Sequence, residues 1–157
     1  MRMHSVVVAV TFVLVLALAA LAVAADPFIG TWKLNLAKSK LSPVLAVKSE
    51  IYRKTFEKGM FKLEFEGIHA DGKSYHIEST FKYDGKEYPV RGDSFVDAIV
   101  PKRVSPNAFL EIAKKGGKQV GTAEDVFSTD GKTCTRTIKL KDTQGKESTS
   151  IAVYDKQ

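Results

Sequence analysis

Apolar and polar residues alternate with a period of two along most of this chain. In segment 60–69, Phe61, Leu63 and Phe65 alternate with charged residues, and segment 74–83 has a similar pattern. A period of two is typical of a β-strand that buries one face and exposes the other. The pattern therefore predicts strands with one face directed at a core.

Glycine-containing turns separate these segments at nearly constant intervals. The glycines recur every thirteen residues at positions 59, 72 and 85 and every fourteen at positions 117, 131 and 145. Asp-Gly between alternating segments favours tight hairpin turns, and the spacing leaves about ten residues for each strand. We predict ten strands, near residues 28–36, 48–57, 60–69, 74–83, 86–91, 95–104, 107–114, 118–128, 132–141 and 146–154.

Helical periodicity is weak throughout the part of the chain that follows residue 25. Pro43 limits any helix between residues 37 and 47 to about one turn. We therefore predict an all-β fold, and consecutive hairpins favour an antiparallel up-and-down β-barrel of about 8–10 strands, because closure removes exposed sheet edges. A two-sheet sandwich is the alternative. A barrel of this size can enclose one small ligand.

The chain begins with an apolar run. Residues 6–21 are almost purely apolar, and small residues occupy positions 22–25, immediately before Asp26. Because this is the pattern of a cleaved export signal, we predict a signal peptide at residues 1–25 and one barrel domain at residues 26–157. An uncleaved anchor is the alternative, since the run approaches the ~20 residues that span a bilayer. Cleavage predicts a secreted or periplasmic protein that is not bound to the membrane.

The charge is basic but dispersed. The formal net charge is +6, from 24 Lys and Arg against 18 Asp and Glu. The lysines occur singly at turns and on polar strand faces, without the runs or interleaved aromatic residues of nucleic-acid sites. We therefore predict no nucleic-acid partner, and we assign the charge to solubility and strand-edge protection. The single cysteine, Cys134, forms no internal disulfide, and alternation places it inward as a small apolar filler.

A tryptophan and an arginine occupy inward positions on two of the predicted strands. On the first strand, one face carries Phe28, Gly30, Trp32, Leu34 and Leu36. Gly30 would let another backbone approach closely. Arg136 shares a face with Cys134, so its buried guanidinium needs an aromatic ring or several acceptors. Either Arg136 stacks on Trp32, or it lies at the barrel rim and reaches water.

The segment Phe28-Ile29-Gly30-Thr31-Trp32-Lys33-Leu34 resembles the opening of the calycin superfamily, which comprises lipocalins and fatty-acid-binding proteins. In these proteins an early Gly-x-Trp on the first strand packs across the closed end of a barrel, beneath an arginine from a late strand. The resemblance implies structural roles for Gly30, Trp32 and Arg136. It also implies a lipocalin-like barrel that binds a small hydrophobic molecule.

A second resemblance covers residues 26–157. The chain is similar to small exported bacterial proteins that begin Asp-Pro-Phe-x-Gly-Thr-Trp-Lys-Leu-Asn and end Ala-Val-Tyr-Asp-Lys-Gln, as residues 152–157 do here. That resemblance implies no particular activity. The chain departs from the calycin pattern in two ways: its first interstrand link is too short for the paired helices of fatty-acid-binding proteins, and no helix follows its last strand.

The candidate ligand-binding residues are the large apolar side chains on the inward faces of two neighbouring strands. They are Phe61, Leu63, Phe65, Tyr75, Ile77, Phe81 and Tyr83. The sequence predicts a non-catalytic exported carrier that holds a small, largely hydrophobic molecule in a barrel cavity and needs no cofactor. The alternative is a cell-envelope protein-interaction module whose core is filled. An enzyme that uses the barrel mouth is the third hypothesis.

Two glutamates lie among apolar neighbours on their strands, Glu111 and Glu124. Directed inward, they would pair with Arg53, Arg103 or Arg136 and bind a polar ligand head. A bulge or register change would turn them outward, and this is the arrangement we favour.

Two histidines flank the turn at Asp71. His69 and His76 are seven residues apart, and across a hairpin they would form a metal site with Glu66, Asp71 or Glu78 if they faced one another. Solvated hairpin ends are the commoner arrangement of such residues, so we predict no metal site. The sequence has no nucleophile elbow, phosphate-binding glycine loop or metalloprotease helix, and we predict no enzymatic activity.

Overall fold

The computed structural model describes residue 26 and residues 28–93, 95–141 and 144–157. The predicted signal peptide at residues 1–25 lies outside the described residues. Among the helices of the described part, none has both the length and the apolar composition needed to cross a bilayer.

Ten strands and two 3-10 helices make up the described chain. The strands are β1 Gly30–Leu34, β2 Val47–Glu57, β3 Met60–His69, β4 Ser74–Phe81, β5 Tyr88–Arg91, β6 Ala98–Ser105, β7 Ala108–Lys115, β8 Lys118–Phe127, β9 Thr133–Lys141 and β10 Glu147–Lys156. The 3-10 helices, Leu36–Lys38 and Pro43–Leu45, occupy the link where proline was expected to allow only one helical turn. The predicted all-β fold and its ten strands are confirmed.

The sheet closes into an antiparallel up-and-down barrel. Each strand pairs with its neighbour in sequence, and β1 pairs with both β2 and β10. Trp32 lies opposite Tyr52 on β2 and Lys156 on β10, so the first strand seals the barrel. The sandwich alternative is therefore wrong. Closure satisfies the main-chain groups that a ten-stranded open sheet would leave at its edges.

The two ends of the barrel differ. We call the end with residues 28–29 and the turns at 58–59 and 106–107 the aromatic end. We call the opposite end, with the link 35–46 and the turns at 70–73 and 116–117, the cavity end. At the aromatic end, the ring of Phe28 lies 4.9 Å from that of Phe109 and 4.8 Å from that of Phe127, between centroids. These rings fill the interior there.

The first strand differs from the prediction in two details. It ends at Leu34, so Leu36 leaves the inward face and is 47% exposed in the first 3-10 helix. Gly30 does make room, but for a side chain rather than for a backbone. A Cβ at residue 30 would lie 3.0 Å from Cε of Lys156, and the φ of +146° favours glycine. Lys156 uses this space to place its Nζ 5.0 Å from the centre of the Trp32 ring.

Candidate functional site

Two adjoining cavities occupy the barrel interior toward the cavity end. Their volumes are about 150 and 120 Å³, and they share seven lining residues, among them Glu50, Ile77 and Tyr154. Phe95, which is 52% exposed, also lines both cavities and places an apolar ring in contact with solvent. A cavity of 150 Å³ with apolar walls is large enough for one benzene-sized molecule.

Only some of the predicted ligand-binding residues reach these cavities. Leu63 and Phe65 line the larger cavity, Tyr75 lines the smaller one, and Ile77 lines both. The other three, Phe61, Phe81 and Tyr83, belong to the rings packed at the aromatic end. β3 and β4 therefore divide their inward residues between a filled region and a hollow one, which alternation alone does not distinguish.

An ion-pair cluster lies between the aromatic end and the larger cavity. Nη1 of Arg136 donates to both carboxylate oxygens of Asp125 at 2.9 Å, and Nη2 donates to Oε2 of Glu111 at 2.5 Å. The guanidinium carbon also lies 5.0 Å from the centre of the Phe65 ring. Burial raises the pKa of Asp125, while the charge of Arg136 opposes that rise.

The cluster corrects several expectations. Arg136 is buried and stacks on Phe65, so neither the stack on Trp32 nor the solvated rim position is observed. The outward arrangement is wrong for Glu111, which is 3% exposed, and right for Glu124, which is exposed. Sequence reasoning missed Asp125 entirely. It is fully buried on β8, because that strand directs Ala123, Asp125 and Phe127 inward.

Glu50 forms a second polar group in the cavity walls. Its two carboxyl oxygens accept hydrogen bonds from the hydroxyls of Tyr75 and Tyr154, each at 2.5 Å. Burial raises the pKa of Glu50, and the two tyrosine hydrogen bonds partly offset this effect. The carboxyl group of Glu50 is therefore held by protein donors on both oxygens.

Lys54 is a fully buried lysine that the sequence prediction also missed. Its Nζ lies 3.3 Å from the centre of the Phe109 ring and donates to the hydroxyl of Tyr83 at 3.1 Å. Burial lowers the pKa of Lys54 to about 7, although the charges of Asp125 and Glu111 favour the protonated form. Alternation on β2 was a usable signal, because Lys54 follows the inward Tyr52 by two residues.

The histidines do not meet across the β3–β4 hairpin. His76 lies opposite Glu66, whereas His69 pairs with Val47 on β2, and the centre of its ring lies 4.4 Å from that of Tyr75. The possibility that the two histidines face one another is therefore wrong.

A different group of potential metal ligands lies on the outer face of these strands. One ligand atom each of Glu64, His76 and Glu78 falls within 4.8 Å of the others. Lys62 occupies this group in the structure, since its Nζ lies 2.7 Å from Glu64 and 3.4 Å from Glu78. The lysine supplies the positive charge that the two carboxylates would otherwise take from a cation.

The comparisons with known proteins add no relative. No protein-family model matches the sequence, and no curated protein matches it.

Proposed function

We propose that this protein is an exported, non-catalytic carrier that binds one small, largely hydrophobic molecule in the cavity end of its barrel. The observation that carries the proposal is the pair of adjoining internal cavities, which share polar groups such as Glu50. Apolar pockets with a few convergent polar groups are the usual form of small-molecule sites.

The size of the cavities limits the ligand. Volumes of about 150 and 120 Å³ are below the ~300 Å³ at which drug-sized ligands are accommodated. The ligand is therefore closer to one aromatic ring than to a long-chain fatty acid. Its binding energy would come from apolar burial, at roughly 25 cal/mol per Å² of surface removed from water.

The lipocalin-like relationship belongs to the same proposal. The closed antiparallel barrel and the position of Trp32 on the first strand support it. The cation over Trp32 is Lys156 of the last strand, whereas the resemblance had pointed to Arg136. We infer that the two residues have separate roles, Lys156 at the tryptophan and Arg136 beside the cavity.

The experiment measures toluene binding by titration calorimetry for the natural protein and for two variants. Ala123 lines the larger cavity, so Ala123→Leu should fill part of it and weaken toluene binding by at least about tenfold. Ala37→Leu makes the same chemical change at an exposed position and should leave binding unchanged. Thermal unfolding of each variant verifies folding. Equal binding by the natural protein and a folded Ala123→Leu variant would argue against the cavity as the site.

A second candidate is the envelope interaction module with a largely filled core. The small cavity volumes and the packed rings at the aromatic end favour it. It predicts that toluene fails to saturate any site in the natural protein.

A further inference from the structure

One carboxylate oxygen of a residue that lines the larger cavity has no hydrogen-bond partner in the described part of the chain. Among the described residues, no donor reaches Oε1 of Glu111, although this side chain is 3% exposed and lines the cavity. Its other oxygen, Oε2, is held by Arg136. A buried carboxylate oxygen without a donor is costly, so a ligand that supplies one gains affinity.

The surrounding charges favour a positive group at this oxygen. Asp125 and Glu111 share the single guanidinium of Arg136, whose Nη1 and Nη2 are both engaged by them. The other buried cation, Lys54, donates instead to the hydroxyl of Tyr83. The third carboxyl group, Glu50, already accepts from two tyrosines. Among the described residues of this interior, these three carboxyl groups therefore outnumber the two buried cations, Arg136 and Lys54.

We propose that the ligand of this cavity carries a hydrogen-bond donor, an ammonium group, that binds Oε1 of Glu111 while its apolar body fills the space beyond. The inference rests on the proposed carrier function and specifies the chemical class of its ligand. The same arrangement disfavours a fatty acid or other carboxylate, because its anionic head would meet the carboxylate of Glu111, and the charge of Arg136 is already shared by Asp125 and Glu111.

The test compares four ligands of nearly one shape: benzylamine, benzyl alcohol, toluene and benzoate. We expect benzylamine to bind the natural protein at least about tenfold more tightly than toluene, since a hydrogen bond to a charged group is stronger than one between neutral groups. Benzyl alcohol should fall between them, and benzoate should bind most weakly. Isothermal titration calorimetry at neutral pH gives the four dissociation constants.

Glu111→Gln provides a matched variant with a specific signature. Because Arg136 Nη2 requires an acceptor, the carbonyl oxygen of the introduced amide should replace Oε2, and the amide NH2 should then take the position of Oε1. The open acceptor becomes a donor, so the preference for benzylamine over toluene should disappear. Glu124→Gln makes the same change on the exposed face of β8 and should keep that preference.

The possible outcomes separate the two proposals. If none of the four ligands binds the natural protein, the carrier function fails and this inference fails with it. If toluene or benzoate binds as tightly as benzylamine, the cavity binds ligands but the donor inference is overturned. This is the result expected if a water molecule donates to Oε1 of Glu111. The ligand series on the natural protein decides this even if Glu111→Gln does not fold. Retention of the benzylamine preference in a folded Glu111→Gln variant also overturns the inference.

Discussion

Replacing Lys54 with methionine should change how the stability of the barrel depends on pH. Lys54 is fully buried, with its Nζ against Phe109 and a hydrogen bond to Tyr83. Burial lowers its pKa from 10.5 to about 7. Methionine keeps a similar length and flexibility without a titratable group. The variant therefore removes the charge while largely preserving the packing.

The stability of the natural protein should rise with pH, because unfolding takes up a proton at Lys54. Between pH 7 and 10.5 the lysine is protonated in the unfolded chain but increasingly neutral in the folded one, so unfolding takes up a proton and rising pH stabilises the fold. Above pH 10.5 the penalty for burying Lys54 vanishes, and below about pH 7 it is fully present. At about 1.4 kcal/mol per pH unit, and with Lys54 half protonated near pH 7, the natural protein should gain about 2 kcal/mol between pH 7 and 9.

Urea denaturation at several values between pH 7 and 9 measures this difference. The natural protein should gain stability relative to Lys54→Met as the pH rises, and Lys54→Met should be the more stable protein at pH 7. Lys82→Met, which alters an exposed lysine, should follow the natural protein throughout. If the free energies of unfolding of the natural protein and Lys54→Met stay parallel over this range, Lys54 is not a buried amine with a lowered pKa.

Two further predictions concern the stability of the barrel. Arg136→Met should lower the free energy of unfolding, measured by urea denaturation, by about 3–5 kcal/mol, because it leaves Asp125 and Glu111 buried without their cation. The exposed Arg91→Met should lower it by less than about 1 kcal/mol. A similarly small loss for Arg136→Met would contradict the buried cluster. Gly92→Ala should lower the free energy of unfolding by about 1–3 kcal/mol more than Gly85→Ala does. Both glycines have positive φ, but only the Cβ at residue 92 would lie 1.9 Å from the carbonyl oxygen of His76. Equal unfolding temperatures of the two variants would refute this.

The strands were predictable because alternation and hairpin glycines are local signals. β3, for example, was predicted at residues 60–69 and spans Met60–His69. Its inward residues follow the expected period of two, with Leu63 and Phe65 buried. Closure of the barrel was predictable from the succession of hairpins, because an open up-and-down sheet of this length would leave two edges exposed.

The site was less predictable because it depends on distant residues. On β8, Val126 has the apolar side chain yet faces outward, while the neighbouring Asp125 faces inward. The register between β7 and β8 shifts between Ala113 and Lys114. The buried Asp125 is tolerable because Arg136 and the hydroxyl of Tyr52 both donate to its carboxylate. Neither feature is encoded within the strand itself. The cavity volume likewise depends on how rings from several strands pack together.

The most direct test of the carrier account is the location of a bound ligand. Nuclear Overhauser contacts between toluene ring protons and methyl groups of the labelled natural protein would give it. The account predicts contacts with Leu63, Ile77 and Leu140, which line the larger cavity. Contacts only with the exposed methyl groups of Val104 and Val126, or none at saturating toluene, would contradict the carrier function.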